Sequence, residues 1–181
     1  MAVVVQRFLR GAYRPPYNAY FYNYYRRAEA AFREHDLARV ATLGFLSAGK
    51  ESATGYALAL FHWEIFLGQS WHAFALLKGP LQIKRIFTKG DGSVEEKLNA
   101  LYNRMKHVED AINHGRIQDG ATVPVWLAND GLISVDTALT YAETAELLKE
   151  IAKWAEVFSD AREAREKLSK LSPGGWPRQP S

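Results

Sequence analysis

Residues 53–78 read ATGYALALFHWEIFLGQSWHAFALLK, opened by Ser52 and closed by Gly79-Pro80. Leu58, Leu60, Phe61, Trp63, Ile65, Phe66, Leu67, Trp71, Phe74 and Leu77 leave no polar stripe wide enough to face water. A helix that is apolar nearly all round is buried, so this segment predicts the central helix of a helical domain. At about 1.5 Å per residue it spans about 40 Å. Gly79-Pro80 supplies the stop signal. Such a helix has to be wrapped, and the flanking segments read as its partners.

On the N-terminal side, Pro15 and Pro16 block a helix through Arg14, which makes residues 1–16 an arm. Asn18 to about Glu34 then reads as a helix, and Asp36 as the N-cap of another, Leu37 to about Ala48, ended near Gly49. Tyr17, Tyr20, Phe21, Tyr22, Tyr24 and Tyr25 crowd the first of these beside Arg26 and Arg27. Aromatics this dense fill a core or a dimer interface; stacking on bases is the alternative.

Downstream, Leu81 to Gly92 is a basic connection with Gly90-Asp91-Gly92 punctuation. Ser93, with Glu96 three residues on, reads as a capping box. It opens a helix from Val94 to about Gly115, whose seam is Leu98, Leu101, Met105, Val108 and Ile112. The period then changes to alternation, and residues 122–136 read as a β-hairpin turned at Asn129-Asp130-Gly131, with Pro124 confining its strand to an edge. A last helix is predicted from about Tyr141 to Leu171, with i,i+4 charge pairs after Ser159. Residues 172–181 read as a flexible tail. The fold class is mainly α: a single domain, 1–171, of four or five helices with a small β-hairpin before the last.

Composition narrows the function. The 181 residues include no cysteine, which excludes structural disulfides, thiolate zinc sites, Fe–S clusters and cysteine nucleophiles. With 48% hydrophobic and 13% aromatic residues the chain carries enough apolar surface to fold. The apolar run Ala2 to Val5 is far shorter than a signal-peptide core, and no stretch is long enough to span a bilayer, so a soluble, cytoplasmic protein is expected. The net charge of +3 is unevenly spread. Residues 1–50 are basic and residues 93–171 acidic, so the basic segment docks either on a phosphate-rich partner or on the acidic half of this chain or of a second copy.

The segment Asn99 to His114 carries the chemistry. With Met105 at the centre of the seam and 100° per residue, Asn103, His107, Asp110 and His114 fall on the opposite face, beside Ala100 and Ala111. Arg104 lies about 60° from His107 on this helical wheel. Histidine, asparagine and alanine there point to a cleft or a dimer seam; a satisfied polar face is the structural alternative. His107 suits proton transfer near neutral pH. Arg104 and Lys106 suit a phosphate, and Asn103 can orient the imidazole or an oxygen. Together they fit metal-free cleavage of RNA through its own 2′-hydroxyl. Glu64, among the aromatics of the central helix, calls for a buried partner, with Arg104 or His107 the natural candidate and a purely structural ion pair the alternative. His72 follows on the same face.

Other motifs fail. No Glu-x-x-His pair supports a di-iron bundle. His35-Asp36 lacks the partners of a metal phosphohydrolase and reads as a helix cap. His107 and Asp110 make only one edge of a metal site, and no phosphate-binding glycine loop or nucleophile elbow occurs. No cofactor or metal is expected.

The apolar helix carrying Glu64, followed by a helix reading Leu-Tyr-Asn-Arg-Met-Lys-His with Asn103, Lys106 and His107, resembles the HEPN superfamily over about residues 37–115 plus the last helix. These are helical bundles, commonly dimeric, of toxin–antitoxin, phage-defence and RNA-processing systems. HEPN ribonucleases carry an arginine separated from the histidine by four to six intervening residues. Here the positions before His107 hold Tyr102, Leu101 and Ala100, so that motif is absent and Arg104 stands closer. The resemblance implies a metal-independent endoribonuclease or RNA-binding protein, with Asn103, Arg104, His107 and Glu64 catalytic and Lys106, His114 and His72 on the substrate. It also implies a homodimer, RNA and an antitoxin-like protein as partners, and no membrane. The alternative is a non-enzymatic helical interaction module forming a homodimer or partner complex.

Overall fold

The computed structural model describes residues 12–48, 53–115, 117 and 123–171. Within them the chain forms α1 (Tyr17–Ser47), α2 (Ala53–Leu81), α3 (Val94–Lys106), α4 (Val108–Asn113), β1 (Trp126–Leu127), β2 (Gly131–Ile133), β3 (Ala138–Thr140), α5 (Tyr141–Ser159) and α6 (Ala161–Leu171). This is the expected mainly helical bundle with a small antiparallel sheet before the last helices. The tail, residues 172–181, and the start of the arm, residues 1–11, lie outside the described residues. No described helix is long and apolar enough to cross a membrane.

The long pair α1 and α2 is the frame. Trp63 Nε1 donates to Thr42 Oγ1 at 3.0 Å, and Arg27 Nη1 donates to Gln69 Oε1 at 2.8 Å. Asp36 is not a cap: α1 runs unbroken through it. No glycine or proline interrupts residues 34–38, and buried Glu34 and Ala38 hold that turn in place. Glu34 Oε2 lies 2.9 Å from His62 Nδ1 of α2. His35 sits 5.5 Å from the rings of both Trp63 and Phe66, so it packs and does not cap a helix.

The central helix also ends later than its glycine and proline suggest. Pro80 lies inside the last turn, and Leu81 is the final residue. Ile83 N donates to Lys78 O and Gln82 N to Gly79 O, both at 3.1 Å, which is the Schellman pattern of a helix end. Its left-handed residue is Gln82, with φ 54°, where glycine is the usual occupant. Gly79 serves another purpose: a Cβ there would come within 2.3 Å of the Tyr20 ring, so it lets α1 approach the end of α2. Nor is α2 buried all round. Phe66, Leu67 and Phe74 are in the core, while Leu58 and Phe61 are 51% and 54% exposed.

Aromatic residues of the N-terminal segment and α1 build the core against α5. The Phe21 and Phe158 rings stack at 4.2 Å. The Tyr13, Tyr24 and Tyr25 hydroxyls donate to the carbonyls of Phe158, Ile151 and Ala155 at 3.0, 2.9 and 2.6 Å. The end of the expected arm is thus built into the bundle. The expected last helix is two: Asp160 is extended, and its Oδ1 accepts from Arg162 N and Glu163 N, capping α6. The expected two-stranded hairpin is a three-stranded sheet, order β1-β2-β3, because Ala138–Thr140 adds a strand next to β2. β1 is an edge strand, as expected, although Pro124 lies two residues before it. A Cβ on Gly131 would meet the Leu139 carbonyl oxygen at 2.2 Å, which fixes glycine in β2. Thr140 and Glu143 form a capping box that starts α5 directly from β3.

Three glycine or glutamine exchanges separate close packing from backbone conformation. Gly79→Ala is expected to lower unfolding stability by about 1–3 kcal/mol through overpacking against Tyr20. Gly44→Ala, with nothing within 4 Å of the new Cβ, should raise it by about 0.5–1 kcal/mol. Gln82→Gly should raise it by about 1 kcal/mol by relieving the left-handed residue. Urea unfolding of the three variants checks all of these.

Candidate functional site

The site begins at the start of α3. Ser93 caps it, its Oγ accepting from Glu96 N at 3.2 Å. Leu98 and Leu101 bury one face of α3 in the core, and Lys97 bridges to Glu143 in the first turn of α5. The opposite face is turned outward by this packing. The helix does not continue to Gly115: it ends at Lys106, and α4 starts after His107. His107 belongs to both ends, its N–H donating to Asn103 O and its carbonyl accepting from Ala111 N. The seam fails beyond that point. Val108 is half-buried and Ile112 is 59% exposed, while Ala111, outside the expected seam, is the buried residue of α4.

The outward face forms a cleft of about 310 Å³ lined by Ala100, Asn103, Arg104, His107, Asp110, Ala111 and Asp136. Three predicted catalytic residues, Asn103, Arg104 and His107, are therefore brought together, with Asp110 and the two alanines beside them. Arg104 Nη2 lies 2.5 Å from Asp136 Oδ2. Hydrogen bonding to Arg104 holds the Asp136 carboxyl below its usual range against the opposing effect of burial, with help from the Arg104 charge and Ser134. Asn103 Nδ2 donates to Asn99 Oδ1 at 3.2 Å. His107 is exposed at the helix junction. The cleft thus offers an imidazole, a guanidinium, an amide and two carboxylates: groups for proton transfer and oxygen binding, with no hydroxyl or thiol nucleophile among its lining residues.

Other predicted site residues stand apart. Glu64 is half-buried and pairs with neither Arg104 nor His107; among the described residues it makes no hydrogen bond or ion pair. Burial pushes its carboxyl up. The central helix instead places His62 Nδ1 against the buried Glu34 carboxylate. Burial pushes the Glu34 carboxyl up, but the hydrogen bonds and charges of His62 and Arg33 outweigh it and bring the net shift down. His72 does not line the cleft: it lies against Tyr102, Nε2 3.4 Å from the hydroxyl. Burial, then the Arg27 and Lys106 charges, lower its pKa. Lys106 is exposed and outside the lining. His114 turns back on its own helix, Nδ1 2.8 Å from Asp110 O and 3.1 Å from Asp110 Oδ1.

Asp136 is the residue that sequence reasoning missed. It sits in the turn between β2 and β3, where Ser134 N donates to Thr137 O and Ser134 Oγ to Asp136 Oδ1. Its proximity to Arg104 is a long-range contact with no local signal; only the Ser-Val-Asp-Thr turn composition marks the position as a loop.

No family model, curated protein or solved structure matches the chain.

Glu64 gives a test of the unsatisfied carboxylate. Its raised pKa means that the folded state holds the proton more tightly than the unfolded chain, so stability falls as pH rises through the carboxyl range. Glu64→Gln should therefore stabilise the protein at pH 7, with the difference vanishing below about pH 4, near the unfolded carboxyl value. Urea midpoints at both pH values check the sign.

Proposed function

We propose that the protein is a HEPN-like RNA-binding protein of a bacterial defence or toxin–antitoxin type system, and that its α3–α4 cleft cleaves RNA without metal. The observation that carries this is the convergence of Asn103, Arg104 and His107 in one open depression. In that reaction the His107 imidazole takes the proton of the ribose 2′-hydroxyl as its oxygen attacks phosphorus. The bond to the 5′-oxygen breaks, and the proton is returned to that leaving oxygen, giving a 2′,3′-cyclic phosphate. Arg104 faces the charge on the phosphate oxygens, and Asn103 donates from its amide. Asp136 competes for Arg104, so a bound phosphate replaces a carboxylate at the guanidinium.

Incubation of total RNA with the wild type in the presence of a chelator should yield 2′,3′-cyclic phosphate ends, and His107→Ala should lower the rate by about 10²–10⁴-fold. No cleavage by the wild type overturns the catalytic reading. Asp136→Asn should bind a short RNA about two- to fivefold more tightly, matching the ~0.5–1 kcal/mol of an exposed ion pair released from Arg104. Fluorescence anisotropy reads this directly.

A second reading, the helical interaction module, is favoured by an apolar surface away from the cleft. Phe32, Leu43 and Leu46 of α1 and Leu58 and Phe61 of α2 are exposed. Phe32, Asp36, Arg39, Leu43 and Leu46 repeat at the four–three spacing of a coiled-coil seam, all of them facing outward. Against an antiparallel second copy, the register that sets Phe32 on Leu43 also sets Asp36 on Arg39. On this reading the wild type is a dimer by light scattering and Leu43→Glu is a monomer. A monomeric wild type at the highest soluble concentration overturns it.

A further inference from the structure

The connection between α2 and α3 walls a second depression, of about 410 Å³, with the end of α2 and the first turns of α3. Lys78, Lys84, Arg85 and Lys89 surround it, and Trp71 and Phe87 contribute its aromatic wall. Among the described residues, none of these four cations makes a hydrogen bond or an ion pair. This sets them apart from Lys97, Arg104, Lys153 and Lys170, each bound to a carboxylate. Glu96 is the carboxylate in the lining, and its two oxygens already accept from Gly90 N at 2.5 Å and Gly92 N at 2.9 Å. Its charge is committed to shaping the loop. Four like charges gathered at one opening repel one another and create a field that an anion relieves.

The aromatic wall narrows the choice of anion. Trp71 is held in place by Tyr102, centroids 6.0 Å apart with planes 28° from parallel, and Phe87 stands 6.3 Å from Trp71 at 56°. Inorganic phosphate uses the cations and leaves the rings idle. A duplex covers the faces of its bases. A nucleotide with its base free meets both features, the base against the rings and the phosphates on the cations. The depression also adjoins the His107 cleft. Ala100 lines both, and α3 rises about 10 Å from Ala100 to His107.

We propose that this depression is a nucleotide subsite, stacking one base on the Phe87–Trp71 wall while Lys84, Arg85, Lys89 and Lys78 neutralise the phosphates. The nucleotide is a unit of single-stranded RNA or a free nucleoside phosphate. Placing RNA there, with the strand continuing into the cleft, rests on the RNA-cleaving function proposed for that cleft; the nucleotide chemistry of the subsite does not.

Anisotropy titrations with a labelled single-stranded oligoribonucleotide, the same sequence as a duplex, and adenosine monophosphate as competitor test it. The single strand should bind more tightly than the duplex and be displaced by the mononucleotide. Lys84→Ala/Arg85→Ala should weaken binding at least tenfold and make the slope of log affinity against log salt shallower by about 1.4, from two lost phosphate contacts. Phe87→Ala should weaken it by about five- to hundredfold, the stacking of one base, with the salt slope unchanged. The subsite is read by binding alone and at residues outside the cleft, so a failed cleavage assay leaves this test standing. Binding of the mononucleotide without the oligonucleotide, sensitive to the same variants, supports the subsite and overturns its RNA reading. RNA binding indifferent to both variants overturns the subsite and leaves the RNA reading intact. No binding of either ligand overturns both.

Discussion

Three tyrosine hydroxyls hold the bundle together. Tyr13, Tyr24 and Tyr25 reach across to carbonyls of α5, Phe158, Ile151 and Ala155, in steps of about one helical turn. The carbonyls of a helix's last turn have no partner within the helix, so the bond from Tyr13 satisfies a group that would otherwise be buried unpaired. Leaving such a group unsatisfied costs about 1–3 kcal/mol. The tyrosine rings meanwhile fill the space around Phe21 and Phe158. Burial pushes the Tyr25 hydroxyl up to about 12, so it stays a donor across the physiological range. These bonds set the alignment of α1 on α5, and the exposure of the remaining helix faces depends on that alignment.

One consequence is an overhang. α1 has 31 residues and α5 has 19, so with their ends pinned near Tyr13 and Phe158 the far part of α1 runs past the start of α5. Phe21, Tyr24 and Ala28 are buried, while Phe32, Leu43 and Leu46, farther along α1, stand exposed. The row continues along the helix, with Asp36 and Arg39 now among its apolar residues, but its cover does not. The other consequence concerns α3. Leu98 and Leu101 enter the core, Lys97 ties to Glu143, and the face carrying Asn103 and His107 is left outward.

The charge asymmetry of the chain resolves into two kinds of cation. In the acidic half, four cations, Lys97, Arg104, Lys153 and Lys170, are each matched with a carboxylate, Arg104 with Asp136 at the cleft. In the connection after α2 the cations stand together without such partners. The modest net charge of +3 therefore hides a local concentration of positive charge next to aromatic rings. Partner chemistry is set by that local field more than by the total.

Much of this was legible in the sequence, because it is local. Helical periodicity marked the central helix and the buried face of α3, Ser93 marked a start, and the change to alternation marked the sheet. Spacing along one helix placed Asn103, Arg104 and His107 near each other, and they share a cleft. Where local signals competed, tertiary contacts decided. Asp36 looked like a cap, but Glu34 and Ala38 packing on α2 carries α1 through it. Asp160 carried a real capping signal that the charge pairs around it obscured. The partners of side chains lay beyond reach. That Arg104 binds Asp136 and not Glu64, that His62 binds Glu34, and that Lys78 of α2 and three cations of the following connection line one depression with Trp71 all depend on how helices far apart in the chain pack. The sequence by itself determined which segments are helical and which of their faces are apolar, since both follow from residue spacing along one backbone. Only the tertiary structure decided which faces are covered and which charges meet, because those are set by the lengths and alignment of different helices, pinned here by tyrosine hydroxyls that no periodicity reveals.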